Sequence, residues 1–282
     1  MKKEIRELIT LGGEKILQIT TYDERWYART TKDEKTELPK YEFLPSVTWI
    51  VSYYPKGIGF MKWLAQKGWN EAELAKEEAG AKGYKVHLGA GTLLKGLEVT
   101  MKDKFSPEYG VEPEELKPDE YECLMTLANW IEAFKVEPIG VEIVAFGNEY
   151  AGTMDLICRI GKQLWIIDFK ISSQIWPGYE IQLSAYAHLE VDLKALGISE
   201  EEWKNKKLAI LQVGYARNKM GWKFTEIQDK FDLFLAVKKI WQEECEGKEP
   251  EQRYYPLALK IQRLWEKNQQ EIQKTKKKSG KK

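Results

Sequence analysis

Between Ile139 and Lys170 the chain carries three apolar runs in quick succession, and this stretch restricts the possible folds more than any other. The runs are Ile139–Phe146, Glu149–Ile160 and Gln163–Lys170, separated by Gly147-Asn148 and Gly161-Lys162. Two-residue links that begin with glycine suit tight hairpin turns, because glycine enters left-handed backbone conformations without a Cβ clash. Strands joined this closely run antiparallel. Counting outward from the second turn sets Ile160 against Gln163 and Asp155 against Asp168. Lys170 lies two residues beyond Asp168 and so points to the same face. From the first turn, Glu142 falls opposite Thr153, on the side that Asp155 uses. One sheet face therefore collects Asp155, Asp168 and Lys170, with Glu142 either a fourth member or a solvated strand acid.

The flanking chain supplies the rest of an α/β domain. Residues 14–30 alternate about a turn-like Tyr22-Asp23-Glu24, which predicts a hairpin, and a charged loop runs from Thr31 to Lys40. After Leu44-Pro45-Ser46-Val47-Thr48 the pattern is helical to about Ala81. Gly83–Glu98 reads as a second helix, weakened by Gly89 and Gly91. A loop from Phe105 to Asp119 precedes an amphipathic helix over Glu120–Lys135, with Leu124, Leu127, Trp130, Ile131 and Phe134 in apolar register. Beyond the three strands, Trp176-Pro177-Gly178 leads into a helix over Tyr179–Leu193. Lys207–Ala216 and Gly221–Ile227 form an outer hairpin, followed by helices over Phe231–Glu246 and Pro256–Gln273. This order predicts an α/β fold with a mixed β-sheet flanked by helices. It divides into an N-terminal β-hairpin extension (1–43), a main domain (44–273) and a lysine-rich disordered tail (274–282) that adds weak, salt-sensitive affinity for nucleic acid.

Composition excludes several classes. No run approaches the ~20 apolar residues of a membrane span, and the N-terminus, Met1-Lys2-Lys3-Glu4, lacks the apolar stretch of a secretory signal. A cytoplasmic protein is the simplest expectation. Cys123, Cys158 and Cys245 are widely spaced, which argues against a disulfide framework and against a four-cysteine iron–sulfur cluster. The net charge of zero neither demands nor excludes nucleic acid, because local charge governs phosphate contact.

Acids among Val, Ile, Leu and Trp are costly to bury without a compensating cation. Carboxylate oxygens are the preferred ligands of Mg²⁺, which shares its shell readily with phosphate, and such an ion stabilises charge on phosphoryl oxygens. A neighbouring lysine can neutralise the negative charge that develops. An ordinary salt-bridge cluster would use the same residue types, and Asp-x-Lys alone is a common tripeptide. The assembly is more specific. Gly152-Thr153-Met154-Asp155 precedes Ile166-Ile167-Asp168-Phe169-Lys170 by one hairpin, and Gln182 and Tyr186 follow, four residues apart on one helical face.

Gly-x-x-Asp, Asp-x-Lys and Gln-x-x-x-Tyr in this order resemble the RecB-like exonuclease branch of the PD-(D/E)xK nuclease superfamily. The upstream Gly83-Tyr84-Lys85-Val86-His87 fits the histidine block of that branch. Leu44-Pro45-Ser46-Val47-Thr48 is similar to a segment of phage exonucleases and of the mitochondrial genome-maintenance exonuclease. The resemblance implies a restriction-endonuclease-like core. It also implies metal binding by His87, Asp155, Asp168 and the backbone carbonyl of Phe169, with Lys170 catalytic and Gln182 and Tyr186 holding DNA or orienting the site. Mg²⁺ or Mn²⁺ would be the cofactor, without an iron–sulfur cluster. The implied substrate is DNA, single-stranded with a free end, degraded in replication, recombination or repair, including that of a phage, alongside proteins of those processes. A structure-specific or flap endonuclease and a catalytically inactive DNA-binding module are the alternatives, and the intact Asp168-x-Lys170 speaks against the second. Trp176 and Tyr179 either stack on bases or pack internally. Ser46 and Thr48 either cap the following helix or touch phosphate, and His188, on the far side of its helix from Gln182, reads as structural.

Overall fold

The computed structural model describes residues 4–21, 24–32 and 39–250. Its first sheet is an antiparallel meander of β1 (Glu4–Ile9), β2 (Lys15–Thr20), β3 (Arg25–Lys32) and β4 (Pro39–Pro45), in that spatial order. The single expected hairpin is therefore β2–β3, extended on both sides. Part of its anticipated turn, Tyr22-Asp23, lies outside the described residues, as do the helix expected over 256–273 and the tail at 274–282.

Three helices follow: α1 (Val47–Ser52), α2 (Ile58–Lys67) and α3 (Trp69–Leu94). Ser46 caps α1, its Oγ accepting from the Trp49 amide at 3.1 Å. A short ribbon of β5 (Lys104–Phe105) and β6 (Glu114–Glu115) leads into α4 (Pro118–Phe134). The long strands β7 (Val136–Gly147), β8 (Tyr150–Ile160) and β9 (Gln163–Lys170) come next. After them run α5 (Pro177–Tyr186), α6 (Glu200–Lys204), β10 (Lys207–Val213), β11 (Trp222–Ile227) and α7 (Phe231–Cys245). The second sheet has the order β11-β10-β9-β8-β7 and is mixed, because β10 runs parallel to β9 while its other pairs are antiparallel. Helices cover both faces. Ile166 and Ile210 pack with α1, α5 and α7, whereas Ile167, Ala209 and Leu211 pack with α3 and α4. No helix among the described residues is long and apolar enough to cross a membrane.

Three local readings change. The first turn is Asn148-Glu149 rather than Gly147-Asn148, since Gly147 pairs with Tyr150 and Glu149 takes the positive φ of 62°. Within the strand, position 147 is glycine because a Cβ there would collide with the Tyr150 ring. The register consequently moves by two residues: Val144, not Glu142, faces Thr153, and Glu142 stands across from Asp155, between the pairs Val141–Leu156 and Ile143–Met154. An even shift preserves the face of every side chain, where a shift of one would have reversed them all.

The helix containing His87 is also longer than expected, continuous from Trp69 to Leu94 despite its glycines. Each glycine costs a helix about 1 kcal/mol relative to alanine, but Gly89 lets α4 approach closely, since a Cβ there would sit 2.6 Å from Leu124 Cδ1. Conversely, α5 begins earlier, at Pro177, and ends at Tyr186 rather than Leu193. Just beyond, the Glu190 amide bonds back to the Phe146 carbonyl at 2.7 Å.

A buried ion pair locks α3 against α4. Lys85, 1% exposed, places Nζ 2.6 Å from Glu120 Oε2 and 3.0 Å from Glu114 Oε1, and donates to the Glu115 carbonyl at 3.0 Å. Lys85→Met leaves the buried Glu120 carboxylate without a counter-charge, and urea unfolding should report a loss of about 3–5 kcal/mol. Adding Glu120→Gln removes that charge and should recover most of the loss. A double variant no more stable than Lys85→Met would show that the ion pair is not what anchors the helix.

Candidate metal centre

The site forms where β8 and β9 separate. Their ladder runs from Ile160–Gln163 to Leu156–Ile167. At the next position a side chain continues it, because Asp155 Oδ2 accepts the Phe169 amide at 2.8 Å. Across from Asp155, Glu142 adopts a left-handed φ of 55°, a conformation that costs a non-glycine residue about 1–3 kcal/mol. The strand alternation breaks at this point. Val141 and Leu156 belong to the core under α3 and α4, while Ile143 and Met154, two residues along, belong to the opposite core. Glu142 and Asp155 thus occupy a twist in the β7–β8 pair.

From above, α3 adds an imidazole: His87 Nδ1 lies 3.5 Å from Asp155 Oδ1. One ligand atom from each of His87, Glu142 and Asp155 lies within 4.8 Å of the others. The side chains of His87 and Asp155 are 29% and 11% exposed. Much of Glu142 is open to solvent, yet protein crowds its carboxyl. Burial, and then the charge of Asp155, push its pKa up to about 7 against the opposing pull of His87, Arg6 and Lys95. A divalent cation would relieve both penalties, and one nitrogen with carboxylate oxygens is a donor set that such ions accept.

Asp168 stands apart from that trio. It is 2% exposed and faces Lys170, whose Nζ is 2.5 Å from Oδ2, although that oxygen has no donor in good hydrogen-bonding geometry. Burial raises the Asp168 pKa, opposed by Lys170 and reinforced by Asp155. For Lys170, burial acts against the charge, but Asp168 and Asp155 outweigh it and hold the ammonium protonated. Lys170 Nζ also lies 4.8 Å from the centroid of the Tyr179 ring, so one face of the ring expected to stack on a base is engaged by the lysine.

On α5, Gln182 Nε2 donates to Tyr186 Oη at 2.7 Å and lies 3.5 Å from Thr48 Oγ1. Tyr186 is only 5% exposed, its ring lying where a Cβ on Gly152 would come within 2.6 Å. Tyr186 therefore holds Gln182 rather than presenting a face to a strand, and the glycine of Gly-x-x-Asp makes room for the ring. The Phe169 side chain is buried under α3 and α4, and its amide is the one bound by Asp155. Trp176 occupies the N-cap position of α5, with 48% of its surface exposed. His188 pairs with Asp229 at 2.7 Å and stacks on Phe231.

The helical reading to Ala81 covered α2 but gave it no role: it has no buried residue and exposes Ile58, Met61 and Trp63, and Trp69 just beyond it is open as well. The available signal was charge: from Phe43 to Asn70 the chain has Lys56, Lys62 and Lys67 and no acid. Sequence reasoning missed Arg6 and Lys95, for which no local pattern exists. Comparison with known proteins finds no matching family model and no curated protein similar to the sequence.

The raised pKa of Glu142 has a definite sign. A carboxyl whose folded value lies above its unfolded one favours folding while it is protonated, and the advantage is lost as pH rises through the folded value. In metal-free protein, Glu142→Gln should therefore raise the melting temperature by an increment that is negligible near pH 4 and grows through pH 7. Melting curves in EDTA measure it. An increment constant from pH 4 to 8 would show that charge is not its origin.

Proposed function

We propose that the protein is a divalent-metal-dependent nuclease that hydrolyses phosphodiester bonds in DNA, built on a restriction-endonuclease-like core. One observation carries this reading: His87, Glu142 and Asp155 converge within 4.8 Å beside a buried Asp168–Lys170 pair, at a fork between strands. The order of β7, β8 and β9, then α5 and a parallel β10, gives a mixed sheet flanked by helices, on which this reading builds. His87, Glu142 and Asp155 would hold the cation, with Asp168 at its margin. A nitrogen donor makes Mn²⁺ at least as suitable as Mg²⁺. Bound there, the ion would supply Lewis acidity and charge neutralisation at the phosphoryl group.

Lys170 carries the remaining chemistry. Held protonated between two carboxylates and against Tyr179, it is a fixed donor for the negative charge that grows on phosphate oxygens. Gln182, braced by Tyr186 and Thr48, is a polar contact for the strand. Trp63, Trp69 and Trp176 offer exposed faces to unstacked bases, with Lys56, Lys62 and Lys67 for phosphates. Duplex DNA presents no such faces, so the preferred substrate is single-stranded, attacked from a free end. That activity belongs to replication, recombination or repair.

Lys170→Ala should slow cleavage by at least ~10²-fold, the scale of losing a transition-state donor. Its Mn²⁺ affinity, measured by calorimetry, should hold or rise because a repelling charge is gone. Asp155→Asn and Glu142→Gln should weaken Mn²⁺ binding and cleavage together. Loss of Mn²⁺ binding in Lys170→Ala would make the lysine structural.

The substrate form is tested with a labelled linear single strand, a closed circle of the same sequence and a blunt duplex. Only the linear strand should be cut rapidly. Fast cutting of the circle would overturn attack from an end, faster digestion of the duplex would overturn the stacking argument, and no cutting of any of them in Mg²⁺ or Mn²⁺ would remove the nuclease reading.

A further inference from the structure

Two cations bracket the acid cluster and have no part in the chemistry assigned so far. Arg6 belongs to the cross-strand row Arg6–Gln18–Tyr27 of the first sheet, so the three side chains share one face. That face is turned toward β8: Gln18 Nε2 donates to Tyr27 Oη at 2.9 Å, and Tyr27 Oη lies 3.0 Å from Thr153 Oγ1, two residues before Asp155. Lys95, the C-cap of α3, comes from the other side. His87, Gly91 and Lys95 recur every four residues and form one stripe of the helix, and a Cβ at Gly91 would lie 3.9 Å from Glu142 Cγ. Both positive charges therefore lie within electrostatic reach of the Glu142 carboxyl.

A charge count suggests why they are there. When ionised, Glu142, Asp155 and Asp168 carry three negative charges; Lys170 offsets one, and Arg6 and Lys95 offset the two that remain. A divalent ion balances the same two. Once such an ion is bound, the arginine and the lysine lose their counter-charge and face outward from a site that is now positive, which attracts an anion. Arginine also presents donors in a geometry that matches two phosphate oxygens.

We propose that Arg6 and Lys95 are phosphate-binding residues for the substrate strand, held as counter-ions of the acid cluster until a divalent cation takes that role. This rests on the nuclease reading and extends it, since it assigns the N-terminal sheet a part in holding the strand.

The test uses the full chain carrying Lys170→Ala, so that the oligonucleotide survives, with Arg6→Gln, Lys95→Gln or Arg6→Lys added. Fluorescence anisotropy follows a labelled single-stranded thymidine 20-mer in Mn²⁺ over a range of salt, and a separate titration measures Mn²⁺ affinity without DNA. Each Gln variant should bind the 20-mer about tenfold more weakly and flatten the log K against log salt slope by about 0.7. Mn²⁺ affinity should rise, and Arg6→Lys should keep the salt slope. Unchanged 20-mer affinity and slope in both Gln variants would overturn the proposal, as would a fall in Mn²⁺ affinity, which would mark the pair as structural support. If the parent itself fails to bind the 20-mer in Mn²⁺, the nuclease reading falls and the proposal with it. Parent binding with unaffected Gln variants removes the proposal alone.

Discussion

Where β8 leaves β9, the hydrogen bonding of the sheet passes from backbone to a side chain, with Asp155 Oδ2 taking the Phe169 amide. An ionised carboxylate has lone pairs enough for two duties, and here one oxygen closes the fork while the other faces His87. The same contact sets the position of β9. Held by Asp155 on one edge and paired with β10 on the other, β9 presents Asp168 and Lys170 from a backbone with little freedom. Moving Asp155 would open the fork and disperse the cluster in one step.

The local structure around this bond is unfavourable by itself. Glu142 has a left-handed backbone, its carboxyl is pressed against that of Asp155, and Asp168 is buried with an oxygen that lacks a directed donor. Strain of this kind persists only where the surroundings over-determine it. Here they do: Lys85 and Glu120 pin α3, the Tyr186 ring fills the space over Gly152, and the apolar cores on the two faces leave β7 to β9 little room to relax. Arg6, Lys95 and Lys170 supply the counter-charge. A bound cation would relieve these costs, which links the energetics of the fold to the chemistry proposed for it.

Much of this was legible in order of residues, because its causes are local. Turns next to glycine and two-residue alternation define β7 to β9, and the helical period of Leu124, Leu127 and Trp130 defines α4. The misplaced turn did little damage, since a shift of two residues leaves the alternation intact; what the alternation could not anticipate is its break at Glu142 and Asp155. Glycine was the ambiguous letter. Gly161 is needed for its positive φ, whereas Gly147, Gly152 and Gly89 are needed for the absence of a side chain against Tyr150, Tyr186 and Leu124. Those partners lie from three to thirty-five residues away, and no local pattern separates the two uses.

The sequence by itself determined which chemical groups are available, and that Asp155, Asp168 and Lys170 come from neighbouring strands, because short hairpins leave the chain no alternative. Only the tertiary structure decided how they divide. Asp168 pairs with Lys170, while Asp155 joins Glu142 and an imidazole from α3. Tyr186 turns inward, Tyr179 receives the lysine, and Arg6 arrives from a strand nearly 150 residues before Asp155. These choices depend on how a helix and a second sheet lie against the strands. That placement is set by summed packing and desolvation over the whole domain, and no single segment of the chain encodes it.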